Sequence, residues 1–480
     1  MSDLTPRTPY RPLVWTDAVL DIQDLLLDFA DPVYIVGGAV RDALLGRSIK
    51  DLDLATPGDS IGIAKKIANS FPNGALYIMD KERGVARALI ETMHGPLNVD
   101  VAKFRGDDGD LLSDVSDRDF TINAMMVDIK GDLTQIIDPL NGERDVAQKT
   151  IRRCNPQAVA SDPVRGLRAV RQSNQLTYRI EPETLKDVRA SAAHLGETSP
   201  ERVRDELFKI HDLRRPAAAL RVMQRIGLLD AVLPVTENSG QAGVEHIFTV
   251  QDKMAGLLAG FFPGEMDNLA SDFGYGLALM QVNRVRMQLE DYLRGTVWAS
   301  QRTHRSLLMV MPLFYDFTLD DVAGYAERLR LSSDEKKRLV VVMANRRFVF
   351  DMPNVEPLTL HRFWFEVGEA GVDVCLFAMV DYLAQQGVEL RQNAWLVIIE
   401  RVQALLEAYY LHYDEIVSPP PLLTGNDLMD MLGVPPGRHI GQLITLLREA
   451  QVTGDVKTAD DALNYARAAL GDDARGDIRR

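Results

Sequence analysis

One stretch, from Ile35 to Thr56, restricts the fold more than any other part of the chain. It has the sequence IVGGAVRDALLGRSIKDLDLAT. Its apolar start predicts a short strand that ends at a glycine pair, its middle predicts a helix closed by Gly46, and its alternating end predicts a second strand. This order of elements is typical of a mixed α/β domain.

The glycine pair is suited to binding phosphate. Gly37 and Gly38 have no Cβ atom, so backbone N–H groups there can approach phosphate oxygens closely. They lie where a strand passes into the N-terminus of a helix, which favours anions. Arg41, one turn into that helix, can donate a charge-assisted pair of hydrogen bonds to the same phosphate. A plain strand-to-helix turn is the alternative for a glycine pair taken alone.

Two aspartates on the second strand indicate a metal site. Asp51 and Asp53 are two residues apart, so both carboxylates project from one face of the strand. Such a pair suits two hard cations, here two Mg²⁺ ions, which activate an attacking oxygen and stabilise a leaving pyrophosphate. Asp100, in the predicted strand LNVDVAKF, is the candidate for a third catalytic carboxylate. A solvated edge strand would explain the aspartates alone, but their place beside the glycine pair favours metal-dependent nucleotidyl transfer.

The pattern along the chain changes from mixed to helical. Strands and helices alternate over about the first 150 residues, and from about Asn155 the periodicity is helical. A proline-rich stretch from Ser418 to Asp427 marks a boundary before a last helical segment. We therefore predict domains at residues 1–150, 151–235, 236–415 and 416–480.

Charge is unevenly distributed along the chain. The formal net charge of −15 by itself argues against a nucleic-acid partner. Residues 151–235, however, contain 15 Lys and Arg against 10 Asp and Glu, so this segment carries +5 and the remainder −20. Such a basic segment can bind phosphates. A chance excess of arginine on a helical surface is the alternative.

The cysteine content and the N-terminal sequence indicate the cellular compartment. Cys154 and Cys375 are far apart and form no metal-binding pair, which suits a reducing environment. The N-terminus has no apolar signal segment, and no apolar run approaches the ~20 residues that a membrane span needs. We expect a cytoplasmic protein.

The stretch from Ile35 to Thr56 resembles the first motif of the class II tRNA nucleotidyltransferase and bacterial poly(A) polymerase family, within the polymerase β superfamily. DRDFTINAM, which begins at Asp117, resembles the second motif of that family. The resemblance implies that Arg118 contacts the triphosphate and that Asp119 and Asn123 face the sugar. Asp117 stands where the family has an arginine. Without the family, FTINAMMV alone predicts a buried helix.

The resemblance also implies the fold. We expect an α/β nucleotidyltransferase head, a polymerase β-like mixed sheet with helices, at residues 1–150. All-α domains are expected to follow: a neck at 151–235 for base selection and RNA binding, a body at 236–415, and a tail at 416–480. The tail resembles the C-terminal segment that helps cradle the tRNA elbow in many bacterial members.

The sequence SDPVRGLRAVR, which ends at Arg171, resembles the base-reading motif of the family. The resemblance implies that Asp162 and Arg165 read the Watson–Crick edge of the incoming base. A carboxylate accepts from the amino group that C and A share, and a guanidinium donates to their ring nitrogen or carbonyl. Arg168 and Arg171 follow at three-residue steps and can share that helix face in nucleotide binding. Ser161 replaces the family's glutamate. A surface arginine stripe paired with acids is the alternative.

Two further motifs are expected to be structural. IDPLNGERDV, residues 137–146, resembles the third motif, and we expect Asp138 and Gly142 to form a turn that couples head to neck. SPERVRDEL, residues 199–207, resembles the fifth motif and is expected to supply ion pairs between neck helices.

Many relatives carry an HD phosphohydrolase domain in the region of the body. Its metal site needs histidines and an adjacent His–Asp pair, but here His246 stands alone and Tyr315 precedes Asp316. Tyrosine does not replace a neutral imidazole as a divalent-metal ligand. We therefore expect a degenerate, structural body in which His246 and His304 are ordinary core or surface residues.

The implied activity is template-independent addition of C and A from CTP and ATP to the tRNA 3′ end, with release of pyrophosphate. The partner is then tRNA, through its acceptor stem and elbow. A CC-adding or A-adding specialist, a poly(A) polymerase and a non-catalytic RNA-binding scaffold remain alternatives. The compact acidic segment from Arg105 to Arg118 is suggestive of CC addition alone. The mixed charge of the tail argues against a poly(A) polymerase. The presence of Asp51 and Asp53 argues against a non-catalytic RNA-binding scaffold.

Overall fold

The structure is a computed structural model that describes residues 4–93, 95–105, 110–262, 273–386 and 390–476, without the side chains of residues 300 and 471–476. The chain divides into two units. The first unit consists of Met1–Leu207 with Arg221–Val232, and the second of Phe208–Leu220 with Leu233–Arg480. The finer division into four domains stays a prediction.

A six-stranded mixed sheet forms the centre of the first unit. Its strands are β1 Tyr34–Val36, β2 Asp51–Thr56, β3 Ala75–Asp80, β4 Val85–Thr92, β5 Gly95–Lys103 and β6 Met126–Asp128. They lie in the order β3-β4-β5-β2-β1-β6, with β2 and β5 parallel and all other neighbours antiparallel. Hydrophobic residues of β2 and β5, such as Leu52, Leu54, Val99 and Val101, are buried between the sheet and its helices. The predicted mixed sheet is confirmed.

The prediction of a buried helix for FTINAMMV is wrong. A 3-10 turn at Thr121–Asn123 is followed directly by β6. The residues are buried as expected, but the segment is too short for several helical turns, and β6 satisfies its backbone groups by pairing with β1.

Ten helices are described up to residue 232. They are α1 Asp17–Leu26, α2 Gly38–Leu44, α3 Ser60–Ser70, α4 Leu111–Ser116, α5 Gly142–Ala147, α6 Val164–Leu176, α7 Pro182–Ser191, α8 Pro200–His211, α9 Pro216–Arg225 and α10 Leu228–Val232. Two short strands, β7 Thr150–Ile151 at the predicted boundary of head and neck and β8 Arg179–Ile180 in the predicted all-α neck, pair in parallel and were not anticipated.

The second unit is helical, as predicted. Its helices are α11 Val235–Ala259, α12 Phe273–Gln281, α13 Arg286–Arg294, α14 His304–Val310, α15 Leu319–Arg328, α16 Ser333–Asn345, α17 Phe348–Asp351, α18 Pro357–Val367, α19 Gly371–Gln385, α20 Gln392–Leu411, α21 Gly425–Leu432, α22 Arg438–Thr453 and α23 Ala459–Gly476. A small hairpin of β9 Thr296–Trp298 and β10 Arg302–Thr303 is the one departure among its described residues.

Two groups of buried residues are described in the second unit. All residues of α19 from Gly371 to Ala384 are buried, so this helix lies inside a layer of other helices. The C-terminal helices α21, α22 and α23 share a separate hydrophobic cluster that includes Leu428, Leu443 and Ala462. No helix in the described part of the chain has both the length and the apolar character needed to cross a membrane.

Candidate active site

The glycine pair and the aspartates meet at the ends of β1 and β2. Gly37 has a φ of +74°, which L side chains rarely adopt. A Cβ atom there would lie 2.9 Å from Asp53 Oδ2 and 3.6 Å from Arg118 Nη1. The antiparallel register sets Val36 opposite Asp53. Position 37 therefore requires glycine for two reasons: the positive φ, and the Asp53 carboxylate that a Cβ atom would contact too closely.

Two of the three predicted carboxylates stand on β2, and the third lies beside them. The parallel register of β2 and β5 places Asp53 opposite Asp100. Asp51 accepts a hydrogen bond of 2.9 Å from the Asn98 side chain. Both Asp100 oxygens accept from Arg87, from Nε at 2.6 Å and from Nη2 at 2.8 Å. Asp100 thus lies beside Asp53, where its carboxylate forms a two-point ion pair with Arg87 and remains 31% exposed.

The charge around Asp53 is not fully balanced. Removal from water raises the pKa of the Asp53 carboxyl, and the neighbouring Asp100 raises it further, while Arg118 offsets part of the effect. Uncompensated carboxylates of this kind suit a divalent cation. In the described residues, no three His, Cys, Asp or Glu side chains converge closely enough to hold a metal by themselves. Asp51 and Asp53 supply two such groups, and Mg²⁺ commonly takes one or two carboxylates with substrate phosphates and water.

Arg118 and Arg41 are both buried at the glycine pair. Arg118 donates to Asp114 Oδ2 from Nε at 3.0 Å and from Nη2 at 2.6 Å, which leaves Nη1 directed at Gly37. Arg41 donates from Nη1 to Asn123 Oδ1 at 2.7 Å and from Nε and Nη2 to Asp42, both at 2.9 Å. The first and second motifs are therefore joined by side-chain hydrogen bonds.

Asp119 and Asn123 belong to a buried polar network. Asn123 Nδ2 donates to Asp119 Oδ1 at 3.0 Å and to Gln172 Oε1 at 2.9 Å. Arg168 donates to Asp119 Oδ2 from Nη2 at 2.7 Å. Although burial alone would raise the pKa of the Asp119 carboxyl, the Arg168 guanidinium and the Asn123 amide hold it well below its ordinary value. Asp119 therefore stays ionised and fastens the second motif to α6.

The two residues expected to read the base, Asp162 and Arg165, bind mainly to other parts of the chain. Arg165 Nη1 donates to the carbonyl oxygens of Ala158 at 3.0 Å and Arg118 at 3.4 Å, and Nη2 donates to that of Asp117 at 2.7 Å. Its Nε lies 3.5 Å from Asp162 Oδ2, and Arg202 Nη2 lies 2.6 Å from the same oxygen. The Arg165 guanidinium is thus largely used to bind the backbone of the second motif.

The expected ion pairs between neck helices are confirmed. Arg171 Nε donates to Glu206 Oε2 at 2.7 Å, which joins α6 to α8. Arg202, also on α8, binds Asp162 just before α6. Arg168 and Arg171 were expected to bind nucleotide, but in this structure their guanidinium groups bind Asp119 and Glu206 instead.

The expected turn at Asp138 and Gly142 is also confirmed. Asp138 accepts from the backbone N–H of Gly142 at 2.7 Å and of Glu143 at 3.1 Å, which caps α5. A Cβ atom on Gly142 would lie 2.2 Å from the Thr121 carbonyl oxygen, so α5 packs directly on the 3-10 turn of the second motif. Asp145 on α5 accepts from the Thr121 hydroxyl at 2.7 Å.

The second unit brings together His246, Tyr315 and Asp381. The rings of His246 and Tyr315 meet edge to face with centroids 4.9 Å apart, and the Tyr315 hydroxyl donates to Asp381 Oδ1 at 2.8 Å. His246 Nε2 lies 4.0 Å from that oxygen. His304 is buried and stacks on Tyr292 with ring centroids 4.0 Å apart. His304 is therefore a core residue, whereas His246 is partly exposed and packs on Tyr315.

Three residues of the site, Arg87, Asp114 and Gln172, were not predicted, and Arg202 was predicted only as part of a segment that supplies ion pairs. Asp114 stands four residues before Arg118, the spacing of a helical ion pair, and this signal was available in the sequence. The partners of the other three lie 13 to 49 residues away. Of the compact acidic segment from Arg105 to Arg118, residues 106–109 lie outside the described residues, and α4 occupies Leu111–Ser116.

Comparison with protein families identifies three segments of the chain. Residues 33–152 match the "Poly A polymerase head domain". Residues 177–239 match the "Probable RNA and SrmB- binding site of polymerase A", and residues 377–466 match the family model described as "tRNA nucleotidyltransferase domain 2 putative".

Individual proteins are similar over most of the chain. It is 30% identical over 437 residues to the CC-adding tRNA nucleotidyltransferase of Geobacter sulfurreducens, which covers 90% of each chain. It is 29% identical over 451 residues to the A-adding tRNA nucleotidyltransferase of Deinococcus radiodurans, over 90% of this chain and 94% of that one. The fold resembles that of a CCA-adding enzyme in its apo form, with a TM-score of 0.60 and 19% identity over 94% of this chain and 93% of the other.

Proposed function

This chain belongs to the tRNA nucleotidyltransferase family, and from that premise we propose that it builds the CCA end of tRNA by adding C and A from CTP and ATP. The observation that carries the proposal is the placement of Asp53 against Gly37 and next to Arg118, with Asp51 two residues before it on β2. This arrangement supports transfer of a nucleotide to the tRNA 3′-hydroxyl with release of pyrophosphate.

Asp51 and Asp53 are the residues that would hold two Mg²⁺ ions. The raised pKa of Asp53 supports this assignment, because a carboxylate with too little positive charge around it gains most from a cation. When bound, such ions lower the pKa of the attacking hydroxyl and neutralise the charge that develops on the phosphates. Asp100 adds negative charge next to Asp53 while Arg87 fixes its orientation.

The triphosphate would lie over the start of α2. Backbone N–H groups of Gly37 and Gly38 would donate to the phosphates at this point, because the start of a helix favours anions. Arg118 Nη1 is directed at Gly37, where it can donate to a phosphate oxygen. Arg41 and Asn123, which bind each other, would orient the second motif toward the sugar.

Base choice would rest on Asp162 and Arg165. An ionised carboxylate only accepts hydrogen bonds, so Asp162 favours bases with an exocyclic amino group, which C and A share and U lacks. Arg165 contributes by holding the backbone of residues 117 and 118 in place. Arg168 and Arg171 would act through Asp119 and Glu206 rather than on the nucleotide.

Addition of CC alone is a second candidate. Two observations favour it: the Geobacter relative, similar over nearly the whole chain, is a CC-adding enzyme, and the segment between Arg105 and Arg118 is compact. The tail at residues 416–480 would contact the tRNA elbow under either proposal.

The test uses tRNA transcripts that end at the discriminator base, at the first C and at the second C. Each is incubated with the full-length protein, Mg²⁺ and CTP, ATP or both, and product lengths are read at single-nucleotide resolution. Stepwise growth to CCA is the expected result. Arrest after CC would establish the second candidate, long A tails would indicate a poly(A) polymerase, and no growth would indicate a non-catalytic scaffold.

A further inference from the structure

The sheet face on which Asp53 lies continues past the carboxylates to the outer strand β3. The register sets Asp53 opposite Asp100 and Asp100 opposite Arg87. Arg87 in turn lies opposite Tyr77 on β3. Residues that pair across neighbouring strands share one face of the sheet, so these four side chains form a single row. With strands about 4.8 Å apart, the row extends roughly 14 Å from β2 to β3.

This row is open to solvent from Asp100 outward. Burial alternates along β4 and β5, so that Ala88 and Val99 on the other face are buried while residues on the face of the row are partly exposed. The side chains of Arg87 and Asp100 are 33% and 31% exposed. Tyr77 is 52% exposed. A molecule from outside the chain can therefore contact the Tyr77 ring and the residues that lead from it towards Asp53.

An exposed aromatic ring next to a guanidinium suits the bases of an unpaired nucleic-acid strand. Bases of every kind stack on aromatic rings, because each has a π face, and arginine adds a cation–π or phosphate contact. In CCA addition the acceptor end changes at each step, from the discriminator base to the first C and then the second C. Stacking accommodates all of these ends, whereas hydrogen bonds to one base edge would select a single base.

We propose that Tyr77 is a binding residue for the unpaired 3′ end of the acceptor RNA, on which a base of that end stacks. This inference rests on the proposed function. A strand end held by stacking has less freedom to move, so its 3′-hydroxyl stays near the carboxylates of β2. Arg87 assists because its ion pair with Asp100 offsets the negative charge that would otherwise repel the RNA phosphates.

Tyr77 can be changed without disturbing the core, because about half of its surface is exposed. Tyr77→Ala removes the ring, and Tyr77→Phe keeps a ring that can stack but lacks the hydroxyl. Ile78→Ala is the matched control. Ile78 is the next residue of β3 and is 53% exposed, but it pairs with Ala86 on the opposite face of the sheet.

The first experiment measures KM and kcat for the tRNA transcript and KM for CTP. For Tyr77→Ala we expect the KM for tRNA to rise about tenfold, since stacking of one base contributes about 1–3 kcal/mol. The KM for CTP should change less than about twofold, because the triphosphate binds elsewhere in the site. Tyr77→Phe and Ile78→Ala should both match the wild type. An unchanged KM for tRNA in Tyr77→Ala, or an equal rise in Ile78→Ala, would overturn the inference.

A second readout needs no turnover and separates the inference from its premise. A tRNA transcript with 2-aminopurine as its terminal nucleotide is bound to each protein, since stacking quenches the fluorescence of this base. Bound RNA should be less fluorescent with the wild type and with Tyr77→Phe than with Tyr77→Ala. Equal fluorescence with the wild type and Tyr77→Ala would overturn the stacking contact whether or not the protein adds nucleotides. A wild type that quenches the base but adds no nucleotide would reject the proposed function and leave the contact established.

Discussion

Arg168 binds Asp119 through a single carboxylate oxygen, Oδ2, with Nε at 2.9 Å and Nη2 at 2.7 Å. Asp119 precedes the 3-10 turn of the second motif, and Arg168 lies on α6. This ion pair, in which the Asp119 carboxylate is buried, ties the second motif to α6, the helix that begins just after Asp162.

Removal of the Arg168 guanidinium should strongly destabilise the first unit. Arg168→Met leaves the buried Asp119 carboxylate without its cation, so we expect a loss of roughly 3–5 kcal/mol in the free energy of unfolding. Urea denaturation of the full-length protein measures the change. Arg189→Met, at an exposed position on α7, is the control and should stay within about 0.5 kcal/mol of the wild type. Equal stability of the two variants would contradict the role given to the pair.

Loss of either carboxylate on β2 should remove catalysis but not RNA binding. Asp51→Asn and Asp53→Asn each withdraw a group proposed to hold Mg²⁺, and we expect kcat to fall by roughly 10³-fold or more. Affinity for tRNA, measured by filter binding, should change little. Asp132→Asn changes an exposed carboxylate that binds only its own turn, and should retain full activity. Normal turnover by Asp51→Asn or Asp53→Asn would reject the assignment.

Arg165→Ala should affect both stability and base choice. Three backbone carbonyl groups would lose their donor, which we expect to cost roughly 2–3 kcal/mol in the free energy of unfolding. The displaced backbone of residues 117 and 118 should also blur the choice between CTP and ATP at each step of addition. Competition assays with both nucleotides measure this effect at a temperature where the variant stays folded. Unchanged selectivity would show that Arg165 has no part in reading the base.

Gly142→Ala should be poorly tolerated. The new Cβ atom would lie 2.2 Å from the Thr121 carbonyl oxygen, so α5 or the second motif must shift. We expect a loss of roughly 2–4 kcal/mol in stability with a lower kcat, measured by thermal unfolding and by incorporation assays. Gly196→Ala is the control, because a Cβ there meets no atom within 4 Å. Similar behaviour of both variants would show that this packing is unimportant.

His304 should contribute to acid sensitivity of the second unit. Burial lowers the pKa of His304 to about 4, and Arg338 adds to the effect. The unfolded chain, with a pKa of about 6.5, therefore binds a proton that the folded chain does not, and stability falls as the pH drops from about 6.5 towards 4.

His304→Phe tests this linkage. Phenylalanine preserves the stacking on Tyr292 but cannot titrate. The free energy of unfolding of the wild type should fall between pH 7 and pH 5 by roughly 2 kcal/mol more than that of the variant. Urea denaturation at each pH measures both values. Parallel pH profiles for the two proteins would contradict the assigned pKa.

The local pattern of the chain was sufficient to predict the elements that carry the site. The predicted strand DLDLAT is β2 to the residue, and the helix expected to carry Arg165, Arg168 and Arg171 is α6. Alternation and helical spacing are short-range properties, so they are visible in sequence wherever one face of an element is buried. The third and fifth motifs were likewise predicted correctly to be a turn and a source of ion pairs.

Only the tertiary structure decided which charged groups bind each other. Spacing placed Arg165, Arg168 and Arg171 on one helix, but their partners are backbone carbonyls, Asp119 and Glu206 respectively. The contacts of Arg87 with Asp100 and of Arg202 with Asp162 depend on strand register and on the packing of α8. FTINAMMV became a turn and a strand because β1 offered it an edge for pairing. Sequence thus determined the local elements and the chemical groups available, whereas long-range packing determined the partners, since ion pairs form between groups that meet only after the chain has folded.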